Sequence, residues 1–442
     1  MNIPEINVLL SLGVSLALYL LGVCYVMMNK VPGRAFVIKV FSAAFIIRVV
    51  AAFVIFYSLI SLGGDGFVIH DDRAYDKTAT EISRDLSDHR PGFKEYGTGW
   101  KNIAYFNING FVYHYLNFDT MTSRIMNGFF GAIVVVLGYY IMLQLFGPKS
   151  ARVAAIMLAI LPNLIFWSAS QVKDPLITLC TMSLIYIMVC KFRSGINIFV
   201  VLAYLFFMSL LWFLRKDFCF PLIGASIVWA LFRYTFLGRY FNDPRRTMFV
   251  KMIVMGVFSI PLLLGLSGTG YGGDFIGTMS KFNEVQGGLA TSSGFTRYLR
   301  VVNPTDFYKI PPAMAFTAIA PLPTFSQVKN PIQYGGALYS YINLPLVLMM
   351  PFIVVGLLKF RSSNMLFTDQ LLVRWLPVLT WISLSIIYLG VLRYKAALMT
   401  YFMMWAAVGW THRRRFKKEL MFVYAIAVVG IIIIIPIAKI FR

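Results

Sequence analysis

The sequence predicts an all-α polytopic membrane protein of about 12 transmembrane helices, and three observations support that fold class. First, 59% of the 442 residues are hydrophobic and 13% are charged, and the mean hydropathy is +0.74, which is more apolar than soluble chains normally are. Second, apolar segments long enough to cross a bilayer recur along the whole chain with short polar breaks between them. Third, basic residues are concentrated in alternate loops, as the positive-inside rule requires of a chain that crosses repeatedly.

The apolar segments define the predicted spans one by one. We assign each of them to a helix, because helices satisfy their backbone hydrogen bonds internally in lipid. In chain order, the predicted spans are Val8–Met28, Phe36–Leu62, Ile125–Phe146, Ala151–Ser168, Leu176–Cys190, Ile196–Leu214, Phe218–Leu237, Phe249–Leu266, Leu338–Leu358, Leu371–Leu392, Ala396–Trp410 and Leu420–Ile440.

The short loops between these spans carry much of the net charge of +22. Basic loops alternate with loops that are poor in lysine and arginine, so we assign the basic ones to the cytoplasm. Their basic residues include Lys30, Arg34, Lys149, Arg152, Lys191, Arg193, Arg239, Arg245, Arg246, Lys359, Arg361, Arg413, Arg414, Arg415, Lys417 and Lys418. This placement predicts a multi-pass plasma membrane protein in contact with membrane lipids and argues against nucleic acid as a partner.

Two long loops fall on the external side, at residues 63–124 and 268–336. No repeat or low-complexity linker divides the chain, so we predict one integral membrane domain, residues 1–442, which carries both loops and their juxtamembrane helices. The second loop is rich in glycine, and we interpret it as a hypothetical lid over the substrates. Its glycines include Gly270, Gly272, Gly273, Gly287, Gly288 and Gly294.

The first external loop begins with "GGDGFVIHDDRAYDKTATEISRDL", directly after an apolar run. If Asp72 to Leu86 form a helix, then Tyr75, Ala79, Ile82 and Leu86 stack on one face at three- and four-residue spacing. We expect that face to lie on the membrane domain.

Asp71 and Asp72 lie at the edges of this apolar stripe. A carboxylate at such a boundary is partly desolvated, which raises its pKa and makes it a better proton acceptor. The alternative is structural: one of the two aspartates caps the helix, and Asp76 complements the helix dipole from the first turn. One aspartate can cap while the other reacts, so both interpretations stay open.

Charged residues also occur at the external ends of several spans, in "SASQVKDPL", "FLRKDF" and "VLRYKAA". Cations on the translocated side of a membrane often mark a polar cavity or a substrate anion, here a lipid phosphate. The alternative is a set of snorkelling anchors and local Lys–Asp pairs. The charged residues in question are Lys173, Asp174, Arg215, Lys216, Arg393 and Lys395.

Several segments, in their order and spacing, resemble a known family. "HDDRAYDKTATEI" is similar to the acidic motif in the first external loop of GT-C-type polyprenyl-phosphate-sugar glycosyltransferases, the group of the lipid A aminoarabinose transferases and protein O-mannosyltransferases. "SRIMNGFFGAIVVVLGYYIMLQLFG" resembles the family's Arg-x-x-Asn-started span, here Arg124 and Asn127, and "LPNLIFWSASQVKDPL" resembles its Lys-Asp segment. "PPAMAFTAIAPLPTF" and "RYKAALMTYFMMWAAVGW" extend the resemblance to Trp410, while the span Val8–Met28 precedes it as an addition.

The resemblance implies a GT-C-type fold and transfer of a sugar from a polyprenyl-phosphate carrier to an acceptor hydroxyl outside the cytoplasm. The acceptor would be a glycan, a lipid or a protein. By this analogy Asp71 is the expected base and Asp72 is a close second candidate. Inversion at the anomeric carbon is the expected outcome. The pair would also supply oxygen ligands if the enzyme uses Mg²⁺ or Mn²⁺.

Further residues are expected to bind the substrates. Lys173, Arg215, Lys216, Arg393 and Lys395 would stabilise the leaving phosphate, because preorganised positive charge acts strongly in a water-poor site. The other residues expected to contact substrate are Tyr75, Asp76, Arg124 and Asp174.

Two other functions are compatible with the same sequence features. A polymerase of lipid-linked glycan repeat units would share the fold, the external loops and the cations, and would differ in the size of its donor. A lipid-linked sugar flippase or other transporter would place its charges along a path through the bilayer centre and often shows repeated halves.

Overall fold

The computed structural model describes residues 6–29, 31–89, 103–234, 308–319, 342–358, 367–387 and 395–425. Within these ranges the regular secondary structure is helical throughout, as the all-α prediction requires. The helices are α1 Val8–Met28, α2 Arg34–Ser61, α3 His70–Ser87, α4 Ile103–Leu116, α5 Thr120–Ile160, α6 Pro162–Ser168, α7 Asp174–Tyr186, α8 Phe192–Ser194, α9 Ile198–Leu214, α10 Lys216–Tyr234, α11 Ile310–Ile319, α12 Leu344–Leu358, α13 Phe367–Gln370, α14 Leu376–Ile387 and α15 Ala396–Thr411. Two π-helical turns, Ile187–Lys191 and Leu371–Trp375, follow α7 and precede α14.

Four helical segments in this part of the chain are long and apolar enough to cross a membrane: α1, α2, α5 and Asp174–Lys191. Three shorter apolar helices, Ile198–Leu214, Phe218–Arg233 and Leu344–Leu358, coincide with further predicted spans. The predicted span Phe249–Leu266 lies outside the described residues, so the count of about 12 stays a prediction. The predicted lid also lies outside them, apart from α11 and the residues just before it.

The contacts divide the chain into two compact units. The first comprises Met1–Arg215 with Pro321–Leu346, and the second comprises Lys216–Ala320 with Val347–Arg442. The single membrane domain predicted for the chain stays a prediction.

Helix α5 is the centre of the first unit and packs against α1, α2, α6 and α7. It begins with a capping box, in which Asp119 and Thr122 each accept the other's backbone N–H. It bends at Gly147, whose φ of 77° is left-handed and which precedes Pro148. Gly147 is non-helical and therefore separates two helical parts of α5, at the position between the predicted spans Ile125–Phe146 and Ala151–Ser168.

A buried arginine supports the end of α5. Pro162 has no N–H to offer the carbonyl of Leu158 four residues earlier, so the helix breaks there. From α2, Arg48 donates to the carbonyl oxygens of Leu158 at 3.1 Å and Ala159 at 3.2 Å, and to Ser168 Oγ at 3.1 Å. A cation at a helix C-terminus also complements the helix dipole, which explains a charged side chain in the middle of an apolar helix.

The second unit contains a close helix crossing. A Cβ atom at Gly356 in α12 would overlap the carbonyl oxygen of Trp405 in α15, and one at Gly409 would overlap that of Phe352. The indole N–H of Trp405 donates to the Val373 carbonyl in a π-helical turn at 2.9 Å. The glycines therefore let the two helix backbones touch, as small residues do in membrane helix packing.

Candidate functional site

Helices α3 and α4, both within the predicted first external loop, pack against each other. Tyr75, Ala79 and Ile82 of the predicted stripe are buried, whereas Leu86 is half-buried. The Tyr75 ring lies 4.9 Å from the Tyr105 ring, centroid to centroid, in an edge-on arrangement. The apolar stripe is thus confirmed for three of its four residues, and Tyr75 and Ile82 of the stripe contact the neighbouring helix α4.

Asp72 is fully buried, and within the described ranges its hydrogen bonds come from N–H donors. Its Oδ2 accepts from the Val68 backbone N–H at 3.1 Å and from Arg124 Nη2 at 3.0 Å, and its Oδ1 accepts from the Gln171 backbone N–H at 2.9 Å. The N-cap position of α3 is Ile69, which makes no side-chain cap, so neither aspartate is the N-cap residue. Asp72 is the third helical residue and reaches back to the chain before the helix, as an acidic residue at this position often does.

Arg124 connects the acidic helix to α5. It is fully buried, and its Nη2 also donates to the Gly66 carbonyl at 2.9 Å. Its guanidinium carbon lies 5.0 Å from the Phe56 ring centroid and 5.7 Å from that of Phe67. Burial raises the pKa of the Asp72 carboxyl group, and the Arg124 charge and the two backbone amides oppose that shift. Arg124 therefore binds Asp72 and Gly66 through Nη2, whereas its Nε and Nη1 have no hydrogen-bond partner among the described residues, and its predicted contact with substrate stays a prediction.

Asn127 holds the segment between α6 and α7. Its Nδ2 lies 2.7 Å from the Ser170 carbonyl, 2.8 Å from the Val172 carbonyl and 2.9 Å from the Tyr105 hydroxyl. Asp72 binds the same segment through Gln171. The acidic motif, the Arg-x-x-Asn start of α5 and the Lys-Asp segment, which are far apart in sequence, therefore meet at one place.

Asp71 and Asp76 are both half-buried residues of α3, unlike Asp72. Asp76 Oδ1 accepts a hydrogen bond of 2.7 Å from the Tyr113 hydroxyl. Burial raises the pKa of Asp76, and the Tyr113 hydrogen bond opposes that shift. Of the two aspartates proposed for catalysis, Asp71 is thus the one that keeps an exposed surface.

Lys173, Asp174 and Arg215 meet where α9 ends and α7 begins. The three residues are buried, with 7%, 5% and 8% of their surfaces exposed. Lys173 Nζ donates to the Leu214 carbonyl at 3.3 Å, and Arg215 Nη1 lies 4.0 Å from Asp174 Oδ1. In the part of the chain that the structure covers, Asp174 Oδ2 has no hydrogen-bond partner. Two cations and one incompletely bound carboxylate therefore share a buried region.

The remaining predicted cations belong to the second unit or lie outside the described residues. Lys216 is half-buried at the start of α10. Lys395 precedes α15, is buried, and its Nζ donates to the Ala318 carbonyl at 3.4 Å. Arg393 falls outside the described ranges. The grouping of all five cations around one phosphate stays a prediction.

Asp72 fits a divalent metal ion poorly. Three N–H donors, one of them on a guanidinium cation, occupy its two oxygens, whereas Mg²⁺ and Mn²⁺ need free carboxylate lone pairs. Among the residues with described positions, no group of three or more His, Cys, Asp or Glu side chains is arranged to hold a metal ion. Metal binding through Asp71 stays a prediction.

Two residues of this site, Gln171 and Tyr113, were not predicted from the sequence. Gln171 lies inside the quoted Lys-Asp segment, but an uncharged amide in an apolar stretch has no signal of its own. Tyr113 lies in an aromatic run that is typical of a membrane interface, yet its hydroxyl is buried and hydrogen-bonded.

Comparison with known proteins finds similarity only at the level of solved structures. No protein-family profile matches the chain, and no curated protein sequence matches it. The chain is similar to the archaeal oligosaccharyltransferase AglB from Archaeoglobus fulgidus in complex with an inhibitory peptide and a dolichol-phosphate, with 13% identity and a TM-score of 0.49 over 92% of this chain and 55% of that one. It is also similar to the apo form of the A. fulgidus oligosaccharyltransferase, with 12% identity and a TM-score of 0.49 over 93% and 56% of the two chains. The chain thus spans about half the length of either.

Proposed function

We propose that this protein is a membrane glycosyltransferase that moves a sugar from a polyprenyl-phosphate carrier to an acceptor hydroxyl at the extracytoplasmic face of the plasma membrane. The observation that carries the proposal is the buried Asp72–Arg124 ion pair. Through this pair and Asn127, the three separate segments that resemble the GT-C family form one site. A site built from these segments has an acid-rich helix beside buried cations, which suits transfer from a phosphate leaving group.

Within this proposal Asp71 is the base. Asp72 is a poor one, because it is fully buried and its oxygens already accept hydrogen bonds from Val68, Arg124 and Gln171. Asp71 takes the proton of the acceptor hydroxyl, whose oxygen bonds to the anomeric carbon while the bond to phosphate breaks and the carrier phosphate leaves with the electron pair. Attack opposite to the leaving group inverts the anomeric centre.

Lys173 and Arg215 are the proposed contacts of the leaving phosphate. Both are buried in the same unit as the acidic helix, and charge acts more strongly where water is excluded. Lys173 Nζ donates to the Leu214 carbonyl, and a charged phosphate oxygen binds an ammonium group more strongly than a carbonyl oxygen does. The nature of the sugar and of the acceptor is open within this proposal.

The transporter alternative has less support in the described spans. A flippase needs charges along a path through the bilayer. Arg48, a buried cation in the middle of α2, donates to Ser168 and to three backbone carbonyls, so it has a structural role.

The test is transfer by the purified protein in lipid, with radiolabelled polyprenyl-phosphate sugars as donors and a membrane extract as acceptor. We expect Asp71→Asn to lower transfer by roughly 10²–10⁴-fold, as loss of a general base does, while donor binding is kept. Asp88→Asn, at an exposed position after the same helix, is the matched control and should transfer normally.

Three results would contradict the proposal or part of it. Absence of transfer by wild type across the donor panel would overturn the glycosyltransferase assignment, and full activity of Asp71→Asn would overturn the role of the base. Transfer from lipid-linked oligosaccharides but from no single sugar would favour the polymerase.

A further inference from the structure

Gln171 is the point at which three helices of the first unit are joined. It is fully buried in the irregular segment between α6 and α7. Its backbone N–H donates to Asp72 at 2.9 Å, its Nε2 donates to the Tyr113 hydroxyl at 2.8 Å, and its Oε1 accepts from Thr120 Oγ1 at 2.6 Å. These partners lie on α3, α4 and α5, so one amide side chain and its backbone connect all three.

The orientation of the Gln171 amide depends on Asp76. The Tyr113 hydroxyl donates its only proton to Asp76 Oδ1 at 2.7 Å, so it can only accept from Gln171, and Nε2 must face it. The other charged groups that act on Asp76 are Asp72, Arg124 and Asp119. An ionised Asp76 therefore fixes the orientation of the Gln171 amide. In this orientation Nε2 donates to the Tyr113 hydroxyl and Oε1 accepts from Thr120.

We propose that Gln171 is a positioning residue for the transfer reaction and that the Asp76–Tyr113 pair sets its orientation. The inference rests on the proposed function. Lys173 and Asp174 follow within three residues on a fully buried segment, so the anchoring of Gln171 sets their place relative to the acidic helix. A shift of this segment would move Lys173, a proposed contact of the leaving phosphate, and Asp174, the neighbour of Arg215, without removing any group that contacts substrate.

The first variant is Gln171→Met, which keeps the size of the side chain and the backbone bond to Asp72 but removes both side-chain hydrogen bonds. We expect kcat to fall roughly 10- to 100-fold, because small misplacements of catalytic groups cost about that much, with KM for the donor changed less than about threefold. Gln144→Met is the matched control, since Gln144 is an exposed glutamine of α5, and its kcat should equal that of wild type.

The second variant is Gln171→Glu, which preserves the shape of the side chain. It tests the coupling of residue 171 to the Asp76–Tyr113 pair if Gln171→Met does not fold. A carboxylate facing Tyr113 would compete with Asp76 for one hydroxyl proton, and the like charges raise the pKa of the pair. We expect the acidic limb of the kcat–pH profile to move to higher pH, which loss of packing alone would not produce. Tyr113→Phe should lower kcat, as Gln171→Met does. The kcat of the double variant should be no lower than that of Gln171→Met alone.

The outcomes separate this inference from the proposed function. No transfer by wild type overturns both. Normal transfer by wild type together with an unchanged kcat in Gln171→Met, or an unshifted pH profile in Gln171→Glu, overturns the positioning role alone.

Discussion

Asp72→Asn tests whether the buried ion pair holds the first unit together. Asp72 accepts from three N–H donors, and asparagine keeps only one acceptor oxygen. The new Nδ2 group must then face either the Gln171 amide or the Val68 and Arg124 donors, so at least one buried donor loses its partner. Arg124 keeps its charge in a fully buried position with no carboxylate opposite it.

The magnitude follows from the burial of both partners. Breaking a buried ion pair by neutralising one side costs about 3–5 kcal/mol of unfolding free energy, because the other charge stays desolvated. For a domain of 150–250 residues, at about 2–4 °C per kcal/mol, this corresponds to a fall of roughly 6–20 °C in the thermal midpoint.

The assay is thermal unfolding of the purified protein in detergent, at one scan rate because membrane proteins often unfold irreversibly. Asp71→Asn is the matched control: it makes the same chemical change at the adjacent, half-buried position and should shift the midpoint little. The double variant Asp72→Asn/Arg124→Gln should be less destabilised than the sum of its parts. Equal midpoints for Asp72→Asn and Asp71→Asn would refute the reasoning.

Three further predictions follow from other contacts. Arg48→Met should lower the free energy of unfolding by about 2–5 kcal/mol, because it leaves buried carbonyls at the end of α5 without donors. Thermal unfolding measures this loss, with the exposed Arg152→Met as the control. Equal thermal midpoints for the two variants would argue against stabilisation of the end of α5 by Arg48. Asp76→Asn should flatten the pH dependence of stability. The folded pKa of Asp76 is raised above its ordinary 3.8, so wild-type stability falls as pH rises from 3.8 through the raised value, and the variant should lack this part of the fall in unfolding scans that run upward from pH 3.8. Gly356→Ala should destabilise by about 1–3 kcal/mol through overlap with the Trp405 carbonyl, whereas Gly13→Ala, with open space around it, should be neutral or slightly stabilising; similar midpoints for the two would contradict the close crossing.

Sequence alone determined the features that depend on local composition. Hydrophobicity and length are sufficient to predict spanning helices, because lipid offers no partner for an unpaired backbone group. The bounds of α1 agree with the predicted span Val8–Met28, and those of α2 agree with Phe36–Leu62 to within two residues. The periodicity of the acidic motif likewise predicts the buried face of α3, through Tyr75, Ala79 and Ile82.

Only the tertiary structure distinguished the two adjacent aspartates. Asp71 and Asp72 are chemically identical in sequence, and the difference between them depends on Arg124 and Gln171, which lie 52 and 99 residues away from Asp72. Gln171 itself has no local signal, since the importance of an amide comes from the donors and acceptors that the fold places around it. Composition and periodicity are properties of neighbouring residues, whereas burial of a charge and satisfaction of its hydrogen bonds are properties of distant segments brought together by packing.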